Sequence, residues 1–186
     1  WLERMVDHPN IEVRLNTEVH AKFMRSVLHQ YDVCVIAAGA SLDRTRHAHV
    51  AGAERMIDAL DVAHGRVKAG RRVIGGGKIG LTIAESLRKH QEAEVTVVES
   101  AKRIAGDVKP SFKWRHASWV EELGITCLTS TTLAEVGADG VRVRNAKGEE
   151  SFVPADTVIQ ADGVAPAHPL FHEFEWMVDE LHGCGD

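Results

Sequence analysis

The chain of 186 residues is 44% hydrophobic and carries 22 basic against 27 acidic residues, a formal net charge of -5, so it can bury the core of one or two small globular domains. The acidic balance and the lack of a Lys/Arg stripe exclude a nucleic-acid surface, which needs clustered cations, and no apolar run approaches the ~20 residues that cross a bilayer. Trp1 opens no signal-peptide pattern, and Cys34, Cys127 and Cys184 lie far apart with no CxxC pair, so the expectation is a cytoplasmic protein with buried, reduced thiols.

Residues 1–6 read as a short helix, and Ile11-Glu12-Val13-Arg14-Leu15 alternates as a strand. The run from Tyr31 through Val33, Cys34, Val35 and Ile36 to Gly39 is almost uninterruptedly apolar, which predicts a strand buried on both faces of a parallel sheet. A connection follows, with a helix expected over residues 54–63 because Met56, Ile57, Leu60 and Ala63 share a face. Val73 and Ile74 form a strand that runs into glycines. A helix over residues 78–89 then sets Ile79, Ile83, Ala84 and Leu87 on one side, and Val95-Thr96-Val97-Val98 is the next strand. Arg71 and Arg72 suggest a poorly buried inner end to the first of these strands.

Pro110 opens another helix, in which Phe112, Trp119, Val120 and Leu123 recur at helical spacing and Trp119 reads as a core anchor, until Gly124 stops it. Residues 125–128 are a third strand. Between residues 132 and 153 the period becomes two, with turns at 137–140 and 146–148, before a buried strand over 156–161. The predicted fold class is α/β: a Rossmann-like parallel sheet in which a three-stranded antiparallel β-meander replaces one crossover helix.

The turn Gly75-Gly76-Gly77-Lys78-Ile79-Gly80 carries GxGxxG at Gly75, Gly77 and Gly80, directly after a strand and at the start of a helix. Gly75 permits the tight turn, Gly77 lets a pyrophosphate approach the backbone, and Gly80 lets the helix lie close to the strand. The helix N-terminus offers unpaired N–H groups to phosphates. Glu99 ends the second strand, where its carboxylate can accept hydrogen bonds from an adenosine ribose. These residues point to a dinucleotide. A P-loop is excluded, because Ile79 follows Lys78 and Arg72 stands where the first glycine would be. Lys102 and Arg103 follow Glu99 and would favour a 2′-phosphate, which the carboxylate opposes.

Together with this turn, residues 31–40 resemble the strand ending in Ala-Thr-Gly of flavoproteins with two dinucleotide-binding domains, here with Ala38 before Gly39. The stretch from Pro154 through Asp162 and Gly163 to Pro166 resembles the second strand-and-glycine junction of that superfamily, and Gly183-Cys184-Gly185-Asp186 resembles its flavin-contacting Gly-Asp. Gly77-Lys78-Ile79-Gly80-Leu81 and Arg103-Ile104-Ala105-Gly106-Asp107-Val108 look most like the C-terminal part of NADH:flavin oxidoreductases related to 2,4-dienoyl-CoA reductase and trimethylamine dehydrogenase.

The resemblance implies NAD(H) on Gly75, Gly77, Gly80 and Glu99, with the nicotinamide end passing Gly163. FAD or ADP would lie near Ala38, Gly39 and Asp186. In the complete protein it also implies an FMN-carrying barrel and a 4Fe-4S cluster. Barrel and first FAD-binding turn would precede Trp1, so this chain is expected to hold no FAD stoichiometrically by itself. The implied layout is a partial FAD-binding domain and linker over 1–47, an NAD(H)-binding domain over 48–170 and a return segment to the flavin domain over 171–186. Homo-oligomerisation is left open.

Function divides into two readings: positioning NADH for hydride transfer to flavin, or holding ADP or a dinucleotide structurally, as in an amine dehydrogenase-like flavoprotein. Disulfide reduction is disfavoured by the lack of a CxxC. His47 with His49, and His168 with His172, are spaced closely enough to meet, but no acid or cysteine completes a familiar ligand set, and solvent-facing histidines are expected. Trp114 could stack on a flavin, although aromatics at helical spacing are more often core.

Overall fold

The structure is a computed structural model that describes residues 1–70, 72–75, 77–106, 108–166 and 169–184. In chain order its elements are α1 (Leu2–Val6), α2 (Ala21–Val27), β1 (Cys34–Ile36), β2 (Ala40–Leu42), β3 (Ile57–Asp58), α3 (Ala59–Ala63), β4 (Arg72–Gly75), α4 (Gly77–Gln91), β5 (Glu94–Val98), α5 (Pro110–Glu122), β6 (Thr126–Leu128), β7 (Thr131–Val136), β8 (Gly140–Asn145), β9 (Glu150–Pro154), β10 (Thr157–Gln160), β11 (Val164–Pro166), α6 (Pro169–Phe174) and β12 (Leu181–Gly183). They fall into two compact units. One comprises Trp1–Ala40 and Pro166–Asp186, and the other Ser41–Ala165.

The larger unit is built on a five-stranded parallel sheet in the order β3-β10-β4-β5-β6. From β4 the chain winds outward through α4, β5 and α5 to β6, then comes back on the other side of β4 as β10. The β7-β8-β9 antiparallel sheet occupies the connection between β6 and β10. Both sheet faces are covered. Val95 and Val97 of β5 pack with Leu81, Ile83, Ala84 and Leu87 of α4, all at most 7% exposed. On the other face Val158, Val98 and Leu128 meet Val136, Val141 and Val143 of the meander. Arg88 ties α4 down further, its Nε donating to the Leu123 carbonyl at 2.6 Å and its Nη1 to the Ala93 carbonyl at 2.9 Å.

Several expectations need correction here. No helix runs over 54–63. The Asp58 carboxylate accepts the Leu60 N–H at 2.7 Å, which starts α3 at Ala59 and leaves Ile57 and Asp58 as strand β3 beside β10. An N-cap side chain interrupts the helix that the apolar spacing alone suggests. In α5 no residue is buried, and Phe112 and Trp114 are exposed. Trp119 is only half-buried, with Lys89 Nζ 4.9 Å and the Arg115 guanidinium carbon 4.8 Å from its ring centroid. It is a cation-flanked surface ring rather than a core anchor.

The smaller unit departs further from its sequence pattern. Residues 11–15 form no strand, and Ile11, Val13 and Leu15 are exposed. Alternation produces a strand only where a neighbour supplies ladder hydrogen bonds. The run over 31–39 yields only the three residues of β1, paired in parallel with β12, and Val33 and Val35 are exposed rather than buried on both faces. Among the unit's described residues, Phe174 at 1% and Met24 at 8% exposure are the buried apolar side chains. A cavity of about 630 Å³ lies beside Met24, lined also by Phe23, Tyr31, Val33, Val35 and Met177. Its lining includes no residue of the glycine turn. The thiols also differ from expectation: Cys34 and Cys127 are half-buried and Cys184 is exposed.

Among the described residues no helix is long and apolar enough to cross a membrane.

Candidate functional site

Winding direction reverses between β4 and β10, and in open α/β sheets the carboxyl ends of the strands at such a reversal are where ligands are held. Gly75 ends β4 at this point and is buried. A Cβ on it would lie 3.9 Å from both the Gly80 Cα and the Ile159 carbonyl oxygen. At Gly80 a Cβ would stand 3.3 Å from the Ala161 Cβ and 3.4 Å from the Gly75 carbonyl carbon. Gly80 is therefore the point at which α4 lies on β4 and on the end of β10, the close helix–strand approach expected of the third glycine.

Gly77, Lys78, Ile79 and Gly80 are the first turn of α4. Their backbone N–H groups have no acceptor within the helix, and the helix dipole adds positive potential there. Ile79 is half-buried and packs on the core, so its contribution is to hold the turn down. Gly76 lies outside the described residues, as do Arg71, Asp107, His168, Gly185 and Asp186. The cradle suits a pyrophosphate: its third glycine leaves only a tight fit for a Cβ, its N–H groups lie at the carboxyl end of a central strand, and the sheet reverses beside it.

Glu99 follows β5 directly. Val97 pairs with Gly75 in the β4–β5 register, so Glu99 stands two residues, about 7 Å, farther along at the same end of the sheet. Its backbone N–H donates to the Leu128 carbonyl at 2.9 Å and its carbonyl accepts the Thr131 N–H at 3.0 Å. Oε1 accepts the Ala101 N–H at 2.8 Å. Glu99 is half-buried, the Ala101 bond engages one carboxylate oxygen, and the second oxygen has no partner among the described residues. Lys102 and Arg103 are exposed.

Gly163 lies just past β10 with φ +76°, a left-handed conformation that favours glycine. The position of a Cβ there is 2.6 Å from Arg46 Cδ, so the aliphatic stem of Arg46 covers that face of the backbone. Asp162 bonds to Arg46 Nε at 2.9 Å through Oδ2 and to His47 Nε2 at 2.7 Å through Oδ1. Nothing in the local pattern singles out Asp162 or Arg46. Position 162 sits in the strand-and-glycine junction, but its partners are 116 and 115 positions away, beyond any local pattern.

Ala38 and Gly39 belong to the smaller unit, where both are exposed just after β1. Gly39 has φ +77° with open space at its Cβ position. His47 and His49 rings stack with centroids 6.4 Å apart. His172 lies 3.7 Å from Glu175. Among the described residues no cluster of three or more His, Cys, Asp or Glu could hold a metal ion. Burial raises the Cys34 and Cys127 thiols above their ordinary range, so neither is a ready thiolate at neutral pH.

With this geometry in place, the comparisons with known proteins are specific. The family pattern described as pyridine nucleotide-disulphide oxidoreductase matches residues 2–181. A metal reductase of Desulforamulus reducens is 30% identical over 208 residues, covering 95% of this chain and 31% of the relative. An NADH oxidase of Thermoanaerobacter brockii is 29% identical over 174 residues, covering 89% of this chain and 26% of the relative. Among solved structures, a 2-naphthoyl-CoA reductase superposes with a TM-score of 0.89 at 28% identity, over 99% of this chain and 28% of that one. The chain thus spans less than a third of the length of these relatives.

Proposed function

The chain belongs to the pyridine nucleotide-disulphide oxidoreductase family, flavoprotein oxidoreductases that bind FAD and NAD(P)H, and from that premise we propose that its larger unit is the NADH-binding part of an NADH-dependent flavin oxidoreductase. Gly75, Gly76, Gly77 and Gly80, with the N-terminal turn of α4, hold the pyrophosphate by backbone N–H groups. Glu99 orients the adenosine ribose through its carboxylate. The backbone around Gly163 forms the opposite wall, along which the nicotinamide half lies, while Ala38, Gly39 and Asp186 serve a flavin nucleotide. A nicotinamide dinucleotide so held supplies a hydride to flavin. The protein's own contribution is orientation, charge complementarity and the exclusion of 2′-phosphorylated nucleotide.

The observation that carries this reading is the convergence of the buried Gly75 and Gly80, a helix N-terminus and a half-buried glutamate at the carboxyl ends of β4, β5 and β10, beside the reversal of winding. The test is calorimetric titration of NADH into the full chain and into Gly77→Val, with circular dichroism of both. The expected result is binding by the parent, none by the variant, and matching spectra. A variant that binds like the parent places the nucleotide elsewhere.

A further inference from the structure

We propose that Asp162, gripped by Arg46 and His47, is a positioning residue for nicotinamide-nucleotide binding: the clasp fixes the Ala161–Gly163 turn as the far wall of the site. This rests on the reading of the larger unit as an NADH site. Four contacts join that turn and the adjoining end of β10 to a single short segment. Besides the two bonds of Asp162, the Asp43 N–H donates to the Gly163 carbonyl at 2.8 Å. The Gln160 side-chain amide, only 7% exposed, donates to the Asp43 carbonyl at 2.9 Å. Asp43 in turn accepts the Thr45 N–H and hydroxyl at 2.9 and 2.6 Å, which shapes the segment that carries Arg46 and His47.

The position of the clasp is what gives it a role. In the parallel register Val158 faces Ile74, so residues 161–163 emerge opposite the glycine turn, and a Cβ added at Gly80 would stand 3.3 Å from that of Ala161. Asp162 is a third exposed and Arg46 more than half. An ion pair at such exposure contributes little to stability, so support of the fold is a poor explanation for the bond between Arg46 and this carboxylate. The restraint on Gly163 is direct: its backbone carries no side chain, lies at φ +76° and is covered by the Arg46 stem. Releasing Asp162 frees both the turn and the group that packs on it.

Charge supplies a test of sign. Taking a carboxylate away from the mouth of a site for an anionic ligand tightens binding if charge alone acts. A positioning role predicts the reverse. NADH is titrated into the full chain and into Asp162→Asn, Arg46→Met and the double variant, with thermal unfolding of each. The expected result is about fivefold or greater loss of affinity in each single variant and no further loss in the double, because both act through one contact. Thermal midpoints should move by less than about 4 °C. Unchanged or tighter binding by Asp162→Asn, additive losses, or unfolding of Asp162→Asn each overturns the clasp as a positioning device while parental NADH binding leaves the functional reading standing. A parent that binds no NADH overturns the functional reading, and this inference with it.

Discussion

Exchange of NADH for NADPH places a 2′-phosphate of about -1.5 to -2 charge against the Glu99 carboxylate. Two unit charges 4 Å apart interact by about 1 kcal/mol in water and about 4 kcal/mol at an effective dielectric of 20. Glu99 is half-buried, so its environment lies between these limits, while exposed Lys102 and Arg103 offset part of the repulsion. The net penalty should be about 1 to 2 kcal/mol, a preference of roughly five- to thirtyfold for NADH. Glu99→Gln is the informative variant, because its amide oxygen can still accept the Ala101 N–H that now bonds Oε1 at 2.8 Å. It removes the charge and retains the turn, and should narrow the preference to within about threefold. Titration of both nucleotides at low and physiological salt is the assay, and salt should weaken the pull of the two exposed cations more than the effect of the half-buried acid. Equal or tighter NADPH binding by the parent would refute the assignment and transfer discrimination to Lys102 and Arg103.

A second change at the glycine turn tests packing rather than binding: Gly80→Val should cost about 1 to 3 kcal/mol in urea denaturation, since its Cβ would stand 3.3 Å from that of Ala161, and Ala161→Gly in the same chain should recover part of this. Gly140→Ala should destabilise the meander by about 2 kcal/mol or more in the same assay, because Gly140 has φ +154° and a Cβ there would overlap the Val153 carbonyl oxygen. Maleimide at neutral pH should label exposed Cys184 well before Cys34 and Cys127, whose burial raises their thiols, as peptide mapping over a time course would show. The Asp43 carboxyl is held below its ordinary range by its hydrogen bonds from Thr45. Its contribution to stability is therefore present at neutral pH and lost as pH falls through its depressed folded value, and the stability difference between parent and Asp43→Asn should vanish on that acid limb.

Local chemistry was enough to read much of the larger unit from the sequence. The glycine turn, α4, β5, the Gly124 stop and the period-two meander are each set by neighbours within a few residues, through allowed φ, capping and alternation. The interruption at Asp58 is equally local, but an N-cap there competes with an apolar spacing that suits a continuous helix. Partners decided what local pattern could not. Residues 11–15 alternate perfectly well yet form no strand, because a strand exists only as one side of a hydrogen-bonded ladder. Strand order is a property of the whole sheet, and only the return of β10 beside β4 put the Gly163 turn across from the glycine turn. For the same reason Asp162 read as an ordinary acid in a loop: its significance lies in Arg46 and His47, which are 116 and 115 residues away along the chain and within 2.9 Å of it in space.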